Sequence, residues 1–163
     1  MNPSIYLGTR KGLFTVCKAG PRWEIADLAH IGEPVTMLLP RPKEGFILAC
    51  LTLGHFGTKL RRRDADSDNW KELGVPVFPE GSTMPAGPPT GDEPVATKPA
   101  SLSEIWSLEV GGENLSDVLW AGTIPGGLFR SDDAGQSWQL VSSLWNKPER
   151  LRWMGGGKDD PGL

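Results

Sequence analysis

The feature that most constrains this chain is an internal repeat. Residues 8–23 read GTRKGLFTVCKAGPRW and residues 122–138 read GTIPGGLFRSDDAGQSW. Both begin with Gly-Thr, and after one inserted residue in the second copy both continue with Leu-Phe, followed by a glycine and a tryptophan at matching spacings. A third copy, TKLRRRDADSDNW at residues 58–70, keeps the spacing from leucine to tryptophan. Recurrence of one unit along a chain indicates a repeat architecture.

The segments around these copies predict short β-strands. They are rich in β-branched, aliphatic and aromatic residues, and glycine, proline, asparagine and aspartate punctuate them at hairpin intervals. No window shows sustained helical periodicity. The predicted strands are residues 4–8, 12–17, 23–28, 35–39, 46–53, 58–63, 69–73, 104–110, 117–122, 127–131 and 137–141.

Taken in series, these strands predict an all-β fold, a partial β-propeller of about three four-stranded antiparallel blades. The first blade lacks its inner strand, because only three strands precede residue 35. We expect a single partial propeller domain over residues 1–163. Its predicted parts are an incomplete blade (4–28), a blade (35–73), a Pro/Gly-rich loop (74–102), a blade (103–141) and a loop on the top face (142–163).

The stretch SDDAGQSW, residues 131–138, predicts a structural turn between the third and fourth strands of the last blade. Asp133 can accept hydrogen bonds from backbone amides across the turn, assisted by the Ser131 hydroxyl. Gly135 supplies a positive φ that a β-carbon would resist, and Trp138 begins the outer strand. We therefore assign these four residues to structure and not to catalysis.

This stretch resembles the Asp-box, or BNR, repeat, Ser-X-Asp-X-Gly-X-Thr-Trp, with Ser137 in the threonine position. Five further segments make nearly the whole chain similar to the N-terminal portion of bacterial sialidase-like propeller proteins of the WD40/YVTN/BNR-like kind. They are GEPV (32–35), GHFG (54–57), IWSLE (105–109), GTIPGGLFRS (122–131) and GGGKDDPG (155–162). The resemblance implies that the box is remote from any active site. It also implies further blades, so we expect a truncated N-terminal portion that self-associates through open blade edges.

Blade geometry places the turns from second to third strand, and the links between blades, on the rim opposite the box. Charged, aromatic and glycine-rich residues that converge on one mouth of a rigid scaffold are typical of binding sites. Glu109 lies on an innermost strand, where it could line the channel. The candidate ligand-face residues are Arg10, Lys11, Glu33, His55, Glu109, Asp159 and Asp160. A purely structural interpretation, as polar turn residues or ion-pair partners, stays open for each of them.

The resemblance favours a binding module for a glycan or another small ligand. A sialidase needs an arginine cluster, a tyrosine–glutamate nucleophile and an acid/base aspartate. Here Thr123 stands in place of the arginine of an Arg-Ile-Pro motif, and the sole tyrosine, Tyr6, lies within a predicted strand. The catalytic residues are therefore unassigned. The alternatives are a glycoside hydrolase whose catalytic residues lie partly in missing blades, and a scaffold for protein partners.

Charge and composition argue against several other classes. The net charge of -3 gives no general attraction to nucleic acid or to acidic membranes, and no apolar stretch has the length of a signal peptide or a membrane span. Cys17 and Cys50 form no metal-binding spacing with His30 or His55. We expect both cysteines to be buried free thiols, no metal or cofactor, and a cytoplasmic location. The basic run at residues 61–63 is expected to pair with the aspartates that follow it.

Overall fold

The computed structural model describes residues 4–115 and 117–153. Within these residues the chain is all-β apart from three short helical turns. It separates into two compact units, Met1–Leu73 and Gly74–Leu163.

Unit 1 contains two antiparallel sheets. The first has three strands in the order β1-β2-β3, and the second has four in the order β4-β5-β6-β7, with a single 3-10 turn at Gly54–Phe56 before β6. The strands are β1 Ser4–Thr9, β2 Gly12–Ala19, β3 Arg22–Ala29, β4 Val35–Arg41, β5 Phe46–Thr52, β6 Thr58–Asp64 and β7 Lys71–Leu73.

Unit 2 contains a short hairpin and a second four-stranded antiparallel sheet in the order β10-β11-β12-β13. A four-residue helix, α1 at Ser142–Trp145, and a 3-10 turn at Pro148–Arg152 follow the sheet. The strands are β8 Thr83–Pro85, β9 Thr97–Pro99, β10 Glu104–Val110, β11 Leu119–Ile124, β12 Gly127–Ser131 and β13 Gln139–Leu140.

These sheets confirm the predicted fold class, an all-β partial propeller with four-stranded antiparallel meanders as blades. A repeated threonine contact shows which strands correspond. Thr9 Oγ1 donates to the carbonyl of Gly12 at 2.8 Å, and Thr123 Oγ1, which donates to the carbonyl of Pro125 at 2.7 Å, lies 3.3 Å from the carbonyl of Gly127. Because Gly12 begins β2 and Gly127 begins β12, β1 corresponds to the second strand of a complete blade. The first sheet therefore lacks an inner strand, as predicted.

The core of unit 1 lies where its two sheets face each other. Five side chains from both sheets form it, and Tyr6 and Ala29 pack against them. The five core side chains are those of Leu13, Val35, Ile47, Ala49 and Leu51. Burying each of the four larger ones contributes on the order of 1.5–3 kcal/mol to stability.

The core of unit 2 is centred on Phe129, which is fully buried on β12. Phe78 lies edge-on to it, with ring centroids 5.1 Å apart, and the Trp145 ring of α1 packs against Phe78 with centroids 4.9 Å apart. The helix that follows the sheet is thus anchored by aromatic packing.

Several local expectations differ from the structure. The segment 74–102 contains the β8–β9 hairpin, and 142–153 contains two helical turns rather than only loop. The expectation of buried thiols holds for Cys50 and is wrong for Cys17, which is only half-buried. The basic run pairs only in part with the aspartates that follow it. Arg62 bonds Asp64, whereas Arg61 bonds Glu33 and Arg63 bonds Asp27, both outside the run.

Candidate functional site

Four of the predicted ligand-face residues lie at one end of unit 1, which we call the link end. The β1–β2 turn carries Arg10 and Lys11, the β3–β4 link carries Glu33, and the β5–β6 turn carries His55. Backbone hydrogen bonds hold these loops together. Gly32 N donates to Lys11 O at 3.0 Å, and Thr52 N, at the end of β5, donates to Pro34 O at 3.2 Å.

The link end also carries exposed apolar side chains. Ile31 in the β3–β4 link is 75% exposed, and Phe56 in the β5–β6 turn is 80% exposed. Arg10, Lys11 and His55 are exposed as well. The link end therefore combines two large apolar side chains with basic groups on the same set of loops.

Beneath these loops, Glu33 belongs to a fixed polar cluster. Its Oε2 accepts a hydrogen bond from Arg61 Nη1 at 3.1 Å and lies 3.3 Å from Nδ1 of His30. The His30 ring packs edge-on against Trp70, with ring centroids 4.5 Å apart. Glu33 is thus held by its neighbours, and its negative charge is offset by Arg61.

His30 is the most constrained residue of this cluster. Its backbone has φ 55, and its side chain is only 4% exposed. Burial is the main cause that lowers its pKa below 6.5, and the nearby Arg61 charge adds to this effect. A neutral imidazole can accept a hydrogen bond at Nδ1 from Arg61 Nη1, which lies 3.1 Å away. Nε2 is then the protonated nitrogen, and it is buried without a hydrogen-bond partner among the described residues.

In unit 2, the turn at residues 131–138 joins β12 to β13 through a dense set of hydrogen bonds. The buried Ser131 hydroxyl donates to Asp133 Oδ1 at 2.7 Å and accepts from Gly135 N at 2.9 Å. Asp133 in turn accepts from Ser137 N at 2.8 Å and from Ser137 Oγ at 2.6 Å. Trp138 donates from Nε1 to the carbonyl of Gly74 at 3.0 Å. Ser131, Asp133 and Trp138 therefore each make side-chain hydrogen bonds within unit 2.

The backbone and charge of this turn fit a structural role. Gly135 has φ 91, as a left-handed turn position requires, and Ala134 beside it has φ 56. Hydrogen bonds from Ser137 and Ser131 lower the pKa of Asp133 to about 2. The carboxylate is therefore ionised at neutral pH and holds no proton that a general acid would transfer.

Of the remaining predicted residues, Glu109 belongs to unit 2. Glu109 is exposed on β10, opposite Trp120 of β11. Asp159 and Asp160 lie outside the described residues. Within 4–115 and 117–153, no group of three or more histidine, cysteine, aspartate or glutamate side chains is arranged to hold a metal ion. None of the helices in those ranges has the length and apolarity to span a membrane.

Sequence reasoning did not single out Ile31, His30 or Arg61 as part of the link end. The sequence around Ile31 gives little indication that this side chain is exposed, since its exposure depends on the left-handed backbone at His30. The pairing of Arg61 with Glu33 joins strand β6 to the β3–β4 link. It could not be read from a basic run followed by aspartates.

Comparison with known proteins leaves the family open. No protein-family model matches the sequence, and no curated protein matches it. Among solved structures, the chain is similar to one titled "YCF48 bound to D1 peptide", with 17% sequence identity and a TM-score of 0.47. The similarity covers 86% of this chain and 38% of that one, so the chain spans well under half the length of that protein. A likeness of this degree does not assign the chain to a family.

Proposed function

We propose that this chain is a binding module that engages a protein partner through the link end of unit 1. The observation that carries the proposal is the exposure of Ile31 and Phe56 on loops that also present Arg10, Lys11 and His55. Aromatic anchors surrounded by polar groups are typical of the centres of protein interfaces.

The charge of the link end indicates the chemistry of the partner. Arg61 offsets the charge of Glu33 by direct hydrogen bonding, so the exposed cations of Arg10 and Lys11 dominate the loops. A partner segment with acidic residues beside apolar ones complements this surface in both respects. A neutral glycan offers no charge for these cations to recognise, so a protein segment fits the link end better.

Binding rather than glycoside hydrolysis is supported by the state of two carboxylates. Apart from enzymes such as sialidases, which use a tyrosine nucleophile, a glycoside hydrolase needs two carboxyl groups free to face one glycosidic bond. Glu33 is engaged by Arg61, and Asp133 by its own turn. Turnover of fluorogenic glycosides by the purified chain, lost on Glu109→Gln, would replace this proposal with a hydrolase.

The proposal is tested by placing a photo-crosslinking phenylalanine analogue at position 56 in cells that produce the chain. We expect one dominant adduct with a single polypeptide, which is then purified and titrated against the chain. Ile31→Ser and the double change Arg10→Glu with Lys11→Glu should each weaken that binding at least tenfold, the loss of about 1.4 kcal/mol.

The control is Val77→Ser, which removes an apolar side chain that is 72% exposed in unit 2. It should leave the affinity unchanged. Diffuse crosslinking with no dominant adduct, or an affinity that Ile31→Ser does not alter, would contradict the proposal.

A further inference from the structure

The first sheet of unit 1 packs against the second sheet through only one of its faces. Leu13 of β2 is buried in the core that the two sheets share, and Tyr6 of β1 packs against that core. Neighbouring residues of a strand project to opposite faces of the sheet. Leu7, next to Tyr6, and Phe14, next to Leu13, therefore project away from the second sheet, from what we call the outer face.

The outer face is apolar across all three strands. Two rows of apolar side chains cross it, because the strand register pairs the members of each row directly. The rows are Ile5–Val16–Ile25 and Leu7–Phe14–Leu28. Trp23 of β3 extends the face beyond the first row, opposite Lys18 of β2.

Much of the outer face is in contact with solvent. Five of its residues are between 44% and 60% exposed, namely Ile5, Leu7, Trp23, Ile25 and Leu28. With ordinary residue areas, these fractions amount to about 450 Å² of mostly apolar surface, a patch size that is often functional. A solvated face of an antiparallel sheet ordinarily carries polar residues. The outer face instead has the composition of a buried surface.

The charged residues of β3 do not lie on this face. Register places Arg22, Glu24 and Asp27 on the same face as Leu13. Within β1, β2 and β3, Lys18 is the one charged side chain that register places on the outer face. A surface with a single charge at its margin matches another apolar surface better than a strongly charged one.

A second copy of the outer face provides the area that a specific interface requires. Two such faces packed together would bury about 900 Å² from the five exposed residues of each copy, and the half-buried Phe14 and Val16 add to this. Biological interfaces bury at least about 1,000 Å² in total. The area lies at the lower end of that class, for which we expect micromolar affinity.

Symmetry also favours a second copy as the occupant. With a two-fold axis across the strands at Ile25, the Trp23 end of one copy lies on the Leu28 end of the other. Ile25 then lies on Ile25 of the second copy. The two Lys18 side chains stand at opposite ends of the contact, about 13 Å or more apart, which exceeds the screening length of about 8 Å. The arrangement therefore brings apolar side chains together without opposing like charges.

We propose that the chain forms a symmetric homodimer in which the outer face of the first sheet packs face to face against the outer face of a second copy. This contact differs from pairing between open strand edges, because it is made by side chains and not by backbone groups. It uses none of the link-end side chains, so the proposal does not depend on the proposed protein partner.

The first test is sedimentation velocity of the full chain from about 1 to about 200 µM, with light scattering to determine the mass. We expect a monomer–dimer equilibrium with a dissociation constant of about 1–50 µM. The Ile31→Ser variant should dimerise as the native chain does, so failure of the link-end proposal and failure of this one are distinguishable.

Charge variants at the symmetry axis test the arrangement. Ile25→Lys and Ile25→Glu each place two like charges against each other and should raise the dissociation constant at least thirtyfold. An equimolar mixture of the two variants should dimerise with a constant within about fivefold of the native one, because the two-fold axis pairs position 25 with itself. The matched control is Val77→Lys, which adds the same charge at a 72% exposed position of unit 2 and should leave dimerisation unchanged.

A second variant covers the case in which a charge at position 25 prevents folding. Trp23→Ser removes the largest exposed side chain of the outer face and should weaken the dimer at least tenfold.

Four results would overturn the proposal. They are a native chain that stays monomeric at about 200 µM, growth into open-ended assemblies, a dimer that neither Ile25→Lys nor Trp23→Ser weakens, and folded charge variants whose mixture stays monomeric. The second and third results are those expected of strand-edge pairing. A photo-crosslinking phenylalanine analogue at position 23 that captures a different polypeptide instead of a second copy would also contradict it.

Discussion

Ser131→Ala should destabilise unit 2 by removing the oxygen at the centre of the 131–138 turn. The side chain is only 1% exposed, and the change deletes one oxygen without altering the carbon framework. That oxygen accepts from the buried amide of Gly135 at 2.9 Å and from the amide of Asp133 at 3.3 Å, and its proton goes to Asp133 Oδ1.

The magnitude follows from the buried amide of Gly135. A buried donor left without a partner costs about 1–3 kcal/mol, whereas the longer bond to the exposed residue Asp133 is readily replaced by water. We therefore expect the free energy of unfolding to fall by about 2 kcal/mol. With a urea dependence of about 1–3 kcal/mol per molar, the midpoint should fall by roughly 1 M.

The assay is urea unfolding followed by tryptophan fluorescence, since Trp138 sits in the turn. Ser143→Ala, an exposed serine of the same unit, is the matched control and should change the free energy by less than about 0.5 kcal/mol. Binding at the link end, measured per folded molecule, should be unaffected by Ser131→Ala. A loss below about 0.5 kcal/mol, or lost binding with stability intact, would refute the structural assignment of the turn.

Three further outcomes are expected. Because the pKa of Asp133 falls from 3.8 to about 2 on folding, its stabilising effect is complete above pH 3.8 and is lost as the pH drops through about 2. Thermal melts across this range should show a melting temperature that falls with pH in the native chain, and Asp133→Asn should lack this contribution. Because burial lowers the pKa of His30 below 6.5, the neutral imidazole stabilises the folded chain fully above pH 6.5, and this stability is lost as the pH falls through the pKa of the folded state. Urea titrations at a series of pH values measure the slope of the free energy of unfolding against pH. His30→Asn should remove the His30 contribution to that slope, and an unchanged slope would contradict the assignment. Gly74→Ala would press a β-carbon into the carbonyl of Gln136 and should destabilise unit 2 by about 1–3 kcal/mol, whereas Gly87→Ala, where a β-carbon meets nothing within 4 Å, should not; calorimetry of both variants compares them.

The repeat spacing predicted the blades because it records positions that each blade uses in the same way. Trp70 and Trp138 each stand directly before an outer strand, β7 and β13, as their shared spacing from a leucine indicates. The threonine shared by the copies at residues 8–23 and 122–138 lies within 3.3 Å of the carbonyl of a strand-initiating glycine in each. A local pattern of this kind is visible in sequence because the interactions span only a few residues.

Contacts between distant segments had no such signature. The bond from Trp138 to Gly74 and the pair between Arg63 and Asp27 join residues far apart in the chain. The β8–β9 hairpin has three-residue strands with proline at the end of each, which hides it from strand propensity. The fold class therefore followed from spacing, whereas the pair between Arg63 and Asp27 depended on how the sheets of unit 1 pack.

The strained backbone of His30 and the exposure of Ile31 have one physical explanation. A left-handed conformation costs a residue other than glycine about 1–2 kcal/mol, and it persists only where the surroundings fix it. Here Arg61 and Trp70 hold the imidazole in place, and Glu33 N bonds the His30 carbonyl at 2.9 Å. Glycine at position 30 would relieve the strain but would lose all the contacts of the ring. The cluster thus fixes a reversal of the chain that leaves the next residue, Ile31, 75% exposed. A buried, strained anchor beneath an exposed apolar side chain is the arrangement expected of a preorganised recognition loop. This preorganisation, together with the charge of the neighbouring loops, is why we place partner recognition at the link end.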